Sequence, residues 1–377
     1  MAQRYNIYAD NAATTKLSPT ALEAMLPYLQ SDYGNASQPY SFSRSPKKAI
    51  KVAREIIANC IGADPEEIYF TSCGTESDNW VVAGAVDLGL PIVTSSIEHH
   101  AMLKPCEHAL SRGHKVTTLP VNTDGIVEEQ SLDNATIESN GIVSIMYANN
   151  EIGTIQPIQT LVKIAHSKGW LFHTDAVQAI GHLPINVHEL NVDLMSASAH
   201  KFNGPKGIGF LYIRNGLEWP AFIMGGAQEH GLRAGTENVA YIVGMATALQ
   251  ENVERIDATS RHLTELEQIL VGSLSSANVT FRRNGAKEHI PGNISLSFSG
   301  TSGEMLLHRL DFMGISVSTG SACDSQNTQI SHVLKAISLQ DDLAKGTIRI
   351  SLGRDNTETD IQQIALAIET ILKRITK

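Results

Sequence analysis

The 377-residue chain has few cysteines and no long hydrophobic run. Its four cysteines are Cys60, Cys73, Cys106 and Cys323, and no two of them have C-x-x-C spacing. So few cysteines in a long chain argue against a disulfide framework and favour a reducing compartment. No apolar run approaches the ~20 residues that span a bilayer, and the N-terminal segment has no apolar signal core. We therefore expect a cytoplasmic protein with no membrane partner.

The chain also lacks an excess of positive charge, since it has 29 Lys and Arg residues against 39 Asp and Glu residues and a net charge of −10. Because nucleic-acid-binding proteins neutralise phosphates with Lys and Arg, we expect no direct nucleic-acid partner. The chain has no block of like charges, no low-complexity segment and no long internal repeat. Length and composition therefore predict a globular protein of two or three domains.

Short apolar segments alternate with helical patterns from about residue 64 to residue 213. This alternation predicts the α/β fold class, with a mainly parallel, doubly wound sheet. The expected strands are 67–71, 91–95, 115–119, 141–147, 170–174, 193–196 and 209–213.

The last third of the chain has a different pattern. Residues 237–276 are almost entirely helical, with an expected break near 257–259, and such a long pair of helices usually bridges two domains. The remainder predicts a smaller α+β domain with strands at 279–282, 293–298, 315–318 and 347–352. We expect a large domain over 16–257 and a small domain formed by 1–15 and 258–377.

Lys201 lies in a tight segment of small residues, after an expected strand and before a Gly- and Pro-rich turn. Lysine is rare in such a place because its charge prefers water. Burial favours the neutral amine, which can form a Schiff base with an aldehyde. A surface loop is the alternative, and by itself the commoner, explanation.

Asp175 follows the expected strand 170–174. Carboxylates at strand ends of open α/β sheets point into the ligand crevice. A lysine for the aldehyde and a carboxylate for the ring nitrogen are the two groups that pyridoxal 5'-phosphate (PLP) requires from a protein. The combination of Lys201 and Asp175 therefore indicates a PLP site.

A small-residue turn that contains Gly74 and Thr75 joins a strand to a helix. The free N–H groups and the positive dipole end of such a helix start can bind a phosphate, and a plain N-capped helix is the alternative. The amides Asn149 and Asn150 end another strand, where they can cap a turn or bind a ring hydroxyl.

Three histidines and a cysteine lie within residues 97–108. Their spacing matches no standard metal site, and the adjacent His99 and His100 cannot easily share one ion, so we predict no metal. A histidine that stacks on a flat cofactor ring or carries protons is the better interpretation.

Cys323 lies in a polar loop of small residues, which suits an exposed nucleophile better than a core residue. Arg349 alternates with apolar residues on an expected strand and faces the same side as Thr347 and Ser351. Its guanidinium can hold a carboxylate at two points, or form a structural ion pair.

These motifs together resemble the cysteine desulfurases of the NifS/IscS type, which are fold-type I PLP-dependent transferases of the class V aminotransferase family. The resemblance covers essentially the whole chain. Its segments are 10–15, 74–77, 98–99, 149–153, 173–178, 198–201, 233–238, 320–323 and 348–353.

The resemblance implies a role for each matching residue. Lys201 would hold PLP and move the Cα proton, Asp175 would pair with the ring nitrogen, and His99 would stack on the ring. Gln178 and Asn150 would reach the ring hydroxyl. The phosphate would be bound at Gly74 and by Thr75, Ser198 and His200, with Thr236 from the partner subunit of a homodimer.

The resemblance also implies a reaction. Arg349, with Asn35, would bind the α-carboxylate of L-cysteine, and Cys323 would attack its sulfur. The products would be L-alanine and a persulfide on Cys323, which passes sulfur to an acceptor or scaffold protein of iron–sulfur cluster assembly or tRNA thiolation. The alternatives are another class V activity, such as a selenocysteine lyase or an aminotransferase, and a catalytically idle sulfur carrier.

Overall fold

The computed structural model describes residues 6–135, 140–319 and 330–375. Cys323, the expected nucleophile, lies outside these residues. The strands are β1 Ile7–Tyr8, β2 Ile68–Thr71, β3 Ile92–Ser95, β4 Val116–Leu119, β5 Ile142–Ser144, β6 Leu171–Asp175, β7 Leu194–Ser198, β8 Gly209–Ile213, β9 Arg282–Arg283, β10 Asn293–Ser297, β11 Ile315–Ser316 and β12 Thr347–Ser351.

The helices lie between and around these strands. They are α1 Pro19–Gln30, α2 Arg44–Ile61, α3 Gly74–Asp87, α4 His100–Ser111, α5 Glu129–Asp133, α6 Ile158–Ser167, α7 Val187–Leu190, α8 Val239–Val253, α9 Ile256–Ser276, α10 Gly303–Phe312, α11 His332–Ala336, α12 Asp341–Lys345 and α13 Glu358–Ile375. None of the described helices combines the length and apolarity that a membrane crossing requires.

Seven strands form the central sheet in the order β2-β8-β7-β6-β5-β3-β4. Strand β8 is antiparallel to both of its neighbours, and every other pair is parallel. Strands β3, β5, β7 and β8 are buried along their whole length, as expected for a sheet that is covered on both faces. The α/β fold class and the mainly parallel sheet are therefore confirmed.

The expected strand 141–147 is shorter in the structure and ends at Ser144. Beyond this point the Met146 N–H donates to the buried carboxylate of Glu98, 3.0 Å from both oxygens, instead of to a strand neighbour. The Ile145 and Tyr147 N–H groups still donate to carbonyls of β6, so the Glu98 side chain replaces a strand neighbour on one side only.

A second, three-stranded antiparallel sheet has the order β12-β10-β9, and β1 pairs in parallel with β11. The first of its expected strands, 279–282, is wrong in position, since the strand is Arg282–Arg283. The Val279 N–H instead donates to the Leu274 carbonyl at 3.0 Å and closes the end of α9. The helical break also lies earlier than expected, between Val253 and Ile256.

The N-terminal segment joins the two sheets. Ala9 donates to Ser316 and accepts from Ser351 of the smaller sheet, and six residues later the Thr15 N–H donates to the His200 carbonyl at 2.9 Å. Ser18 then caps α1 by accepting the Ala21 N–H. This path fixes residues 10–15 beside the segment that carries Lys201.

Candidate active site

A cavity of about 280 Å³ lies at the carboxyl ends of the central strands. Parallel strands bring the residues that follow β3, β5, β6 and β7 to the same edge, where ligands of open α/β sheets bind. Ten of the residues expected from the sequence line this cavity: Gly74, Thr75, His99, Asn150, Asp175, Gln178, Ser198, His200, Lys201 and Arg349.

Lys201 ends a short 3₁₀ turn that follows β7. Its Nζ donates to the carbonyl of Ala12 at 2.6 Å and to that of Ala13 at 2.9 Å. These carbonyls belong to the N-terminal segment, so the amine is held in the cavity by main chain from a distant part of the sequence. It is partly buried, as the sequence predicts for a reactive amine.

Asp175 is the last residue of β6 and is 4% exposed. Its Oδ1 accepts the Val177 N–H at 2.9 Å. Burial raises the pKa of this carboxyl group to about 6, while the Val177 N–H and the Lys201 cation act in the opposite direction. Asp175 is therefore a buried acid whose charge is balanced within the cavity.

The N-terminus of α3 approaches the segment that follows β6 very closely and also contacts the end of β7. A Cβ atom on Gly74 would lie 2.6 Å from Val177 Cγ2, so only glycine fits here without a shift. Gly74 and Thr75 present first-turn N–H groups, which no helical carbonyl accepts, and Ser198 and His200 line the facing side. This arrangement fits an anion such as a phosphate.

His99 is the N-cap of α4, and its Nδ1 accepts the Ala101 N–H at 3.1 Å. Burial, followed by the charges of Lys201, His100 and His332, lowers the pKa of His99 to about 4. The ring is therefore neutral at neutral pH. Because Nδ1 is an acceptor, we assign the proton to Nε2, which is left to act as a donor.

The two adjacent amides have different functions. The Asn149 side chain caps the turn after β5, since its Oδ1 accepts the N–H groups of Glu151 and Ile152. Asn150 lines the cavity, and its carbonyl accepts from Arg349 Nη1 at 3.0 Å. Gln178, also in the cavity, donates to the Ala12 carbonyl at 3.0 Å.

Arg349 projects from β12 of the smaller sheet into the same cavity and is 2% exposed. Its Nη2 donates to Asp10 Oδ1 at 2.7 Å. The structural ion pair is thus present, and the guanidinium also faces the cavity, where the binding of a carboxylate stays a prediction.

Two expected residues lie elsewhere in this chain. Asn35 does not line the cavity, and its side chain closes a turn by accepting the Ser37 N–H at 2.9 Å. Thr236 is exposed and also does not line the cavity. Both would need another subunit or a rearrangement to reach the site.

The structure adds residues that the sequence did not single out. Asp78, in the first turns of α3, is buried beside Asp175. His332, the first residue of α11, has its ring 5.0 Å from that of His100 and its Nε2 3.0 Å from the Glu98 carbonyl. Asp78 directly follows the matching segment 74–77, so its neighbourhood was visible in the sequence, whereas no local pattern indicated His332.

These groups fit PLP. An amine held by two carbonyls matches its aldehyde, a buried carboxyl group matches its ring nitrogen, and a helix start without a Cβ at Gly74 matches its phosphate. The cavity therefore offers one complementary group for each polar end of the cofactor.

The sequence matches the family described as Aminotransferase class-V over residues 7–364. The cysteine desulfurase IscS of Dictyoglomus turgidum is 45% identical over 374 residues, which are 98% of this chain and 95% of the relative. The cysteine desulfurase IscS of Methanosarcina thermophila is 44% identical over 373 residues, 98% of this chain and 92% of the relative.

Solved structures lead to the same group. A NifS-like protein has a TM-score of 0.93 and 37% identity, covering 98% of this chain and 100% of its own. SspA in complex with cysteine has a TM-score of 0.83 and 35% identity, covering 92% of this chain and 99% of its own. This chain therefore belongs to the class V aminotransferase family of PLP-dependent enzymes, within the group of the NifS/IscS-type cysteine desulfurases.

Proposed function

We propose that the protein removes sulfur from L-cysteine, releases L-alanine and leaves a persulfide on Cys323. The observation that carries this proposal is the meeting of Lys201, Asp175 and Arg349 in one cavity. Lys201 supplies an amine for the cofactor aldehyde, and Asp175 supplies an acid for the ring nitrogen. Arg349 supplies a guanidinium that can bind the α-carboxylate of an amino acid substrate. The identity to curated cysteine desulfurases supports the choice of substrate.

PLP, when bound, withdraws electrons from the substrate Cα and so makes its proton easier to remove. Lys201 is the base that we assign to this proton, because its Nζ is held inside the cavity by the carbonyls of Ala12 and Ala13. Asp175 balances the positive charge of the ring nitrogen. Its burial keeps water from competing for this interaction.

Arg349 binds the substrate α-carboxylate in this proposal. Its Nη1 and Nη2 already donate to the Asn150 carbonyl and to Asp10. The substrate carboxylate must therefore share the guanidinium with Asp10 or replace it. His99 would stack on the cofactor ring, and it keeps a neutral Nε2–H, since its pKa is lowered to about 4.

Cys323 is assigned the sulfur-transfer step on the resemblance alone. Its thiolate attacks the substrate sulfur, so that a new S–S bond forms as the substrate Cβ–S bond breaks. The electron pair of the broken bond stays with the carbon fragment, which takes up protons and leaves as L-alanine. The persulfide then passes its outer sulfur to an acceptor protein.

A homodimer is part of the proposal. Thr236 is exposed and outside the cavity of its own chain, which supports a role at the site of a second copy. Helix α1 also exposes Leu22, Leu26 and Leu29, which are 45%, 40% and 53% accessible. Apolar side chains at this spacing suit a covered surface.

Subunit complementation tests the trans role of Thr236. Dimers of Lys201→Ala and dimers of Thr236→Ala should both be impaired. Mixed dimers should regain one complete site, with the lysine from one subunit and the threonine from the other. No gain on mixing would contradict the trans role, and sedimentation analysis of each variant controls for loss of the dimer.

Domain boundaries, pathway and compartment are also proposed. The hydrophobic cluster around the central sheet is built from residues 21–249 and the cluster around β10 and β12 from residues 7–9 and 263–371, which supports a large domain over 16–257 and a small domain from 1–15 and 258–377. Sulfur acceptors in iron–sulfur cluster assembly or tRNA thiolation and a cytoplasmic location follow from the resemblance. Sulfur transfer to purified candidate acceptors and cell fractionation test them.

The decisive experiment is an absorbance spectrum of the PLP-loaded protein before and after L-cysteine, with alanine and sulfide assayed in the same sample. The spectrum should change, and alanine should appear in equal amount to transferred sulfur. Cys323→Ser should keep the cofactor band but form no persulfide. Equal turnover of selenocysteine by Cys323→Ala would favour a selenocysteine lyase, and a response only to other amino acids would favour an aminotransferase.

A further inference from the structure

A second buried carboxyl group, Asp78, lies beside Asp175. Asp78 belongs to α3, is 1% exposed and lines the cavity, and Asp175, the last residue of β6, lines the same cavity. The two groups are close enough for each to change the pKa of the other. None of the roles assigned above uses Asp78.

Two adjacent carboxyl groups that are both buried do not both ionise, because desolvation and like charge oppose the second ionisation. Asp175 has compensating contacts, namely the Val177 N–H at 2.9 Å and the Lys201 cation. Within the described residues neither Asp78 oxygen has a hydrogen-bond partner; the nearby Ser196 hydroxyl, which lowers the pKa of Asp78, is instead bonded to His173 Nε2 at 3.0 Å. Asp78 is therefore the member of the pair that keeps a proton.

The other groups around Asp78 supply no positive charge. Burial lowers the pKa of His173 to about 3, so that its ring, with Nε2 3.8 Å from Asp78 Oδ1, is neutral. Its nitrogens are already bonded to the hydroxyls of Ser144 and Ser196. Burial and then Asp175 raise the pKa of Asp78, Ser196 lowers it, and Glu98 and Cys73 raise it further.

We propose that Asp78 is a positioning residue that stays protonated and donates its O–H to Asp175, holding Asp175 as the single carboxylate that faces the ring nitrogen of PLP. The inference rests on the proposed role of Asp175. Its physical basis is that a neutral donor adds a hydrogen bond to the ionised form of Asp175 without adding a second negative charge.

The first test detects the proton itself in the full-length protein, with and without PLP. The infrared difference spectrum between wild type and Asp78→Asn, at mildly alkaline pH, should contain the carbonyl stretch of a protonated carboxyl group, shifted in deuterated water. The matched control is Asp87→Asn, an exposed carboxylate on the same helix, which should give no such band. Absence of the band for Asp78 overturns the proposal, whether or not the protein acts on cysteine.

The second test measures the dissociation constant of PLP. Asp78→Asn keeps a neutral N–H donor and should bind PLP within about threefold of wild type, whereas Asp78→Ala loses the donor and should bind roughly tenfold more weakly. Equal weakening by both substitutions overturns the proposal. That result is expected if Asp78 is ionised and donates no hydrogen bond, because Asn then restores nothing that Ala lacks. If the wild-type protein binds PLP but does not react with L-cysteine, this result contradicts the proposed function and leaves the proposal for Asp78 intact.

Discussion

Arg349 and Asp10 form a buried ion pair between β12 and the N-terminal segment, with 2.7 Å between Nη2 and Oδ1. The Arg349 side chain is 3% exposed and that of Asp10 is 19% exposed. A guanidinium this deeply buried requires a nearby negative charge. In the proposed reaction, Asp10 supplies that charge before the substrate carboxylate arrives, and the two carboxylates then compete.

Asp10→Asn removes the competing charge, so the KM for L-cysteine should fall by about three- to tenfold, while breaking the buried pair should lower the free energy of unfolding by about 3 kcal/mol. Steady-state kinetics and denaturant unfolding measure the two effects. The matched control is Glu251→Gln, which disrupts the ion pair with Arg354 outside the cavity and should leave KM unchanged. A higher KM for Asp10→Asn would show that the two carboxylates do not compete.

His99 combines a structural and a chemical role that two substitutions separate. Asparagine is a good N-cap, so His99→Asn should retain the start of α4 but lower kcat by roughly 100-fold or more through loss of the ring. His99→Ala should lose similar activity and in addition about 1 kcal/mol of stability. Equal kcat in His99→Asn and wild type would remove the ring from the mechanism.

Glu98 should make the protein less stable as pH rises. Burial raises its pKa to about 8, so between roughly pH 5 and pH 8 the unfolded state loses a proton that the folded state keeps. This group lowers the unfolding free energy by up to about 1.4 kcal/mol per pH unit in that window, and the effect ends above the folded pKa. Glu98→Gln should flatten the pH dependence measured by denaturant unfolding.

Glu107→Gln is the control for that measurement, since Glu107 is exposed on α4, the helix that follows Glu98, and pairs with Lys104. Its pH dependence should match that of wild type. A slope in Glu98→Gln as steep as in wild type would show that Glu98 is ionised in the folded protein.

Gly74→Ala places a Cβ 2.6 Å from Val177 Cγ2 at the proposed phosphate site. Overpacking of this kind costs about 1–3 kcal/mol, and the shifted helix start should weaken PLP binding by about tenfold. Gly272→Ala, in α9 with open space around it, should instead stabilise the protein by about 1 kcal/mol and leave PLP binding unchanged. Thermal unfolding and PLP titration distinguish the two, and unaltered PLP binding by Gly74→Ala would place the phosphate elsewhere.

Local sequence determined the elements of this protein and most of the residues that line its cavity. All seven strands of the central sheet were predicted to within a few residues, because most of them are short apolar runs bounded by turns. The residues at their ends, such as Asp175 and Lys201, were predictable because a sheet with parallel strands brings those ends to one edge.

Tertiary structure alone decided the long-range partners. Three contacts join segments that are far apart in the chain. They are the hydrogen bonds from Lys201 to the carbonyls of Ala12 and Ala13, the ion pair of Arg349 with Asp10, and the proximity of Asp78 to Asp175. No periodicity encodes such pairs, since they follow from how the two sheets and the N-terminal segment pack. Which buried acid keeps its proton is likewise a property of its neighbours in space, because burial and adjacent charge, not residue type, set the pKa.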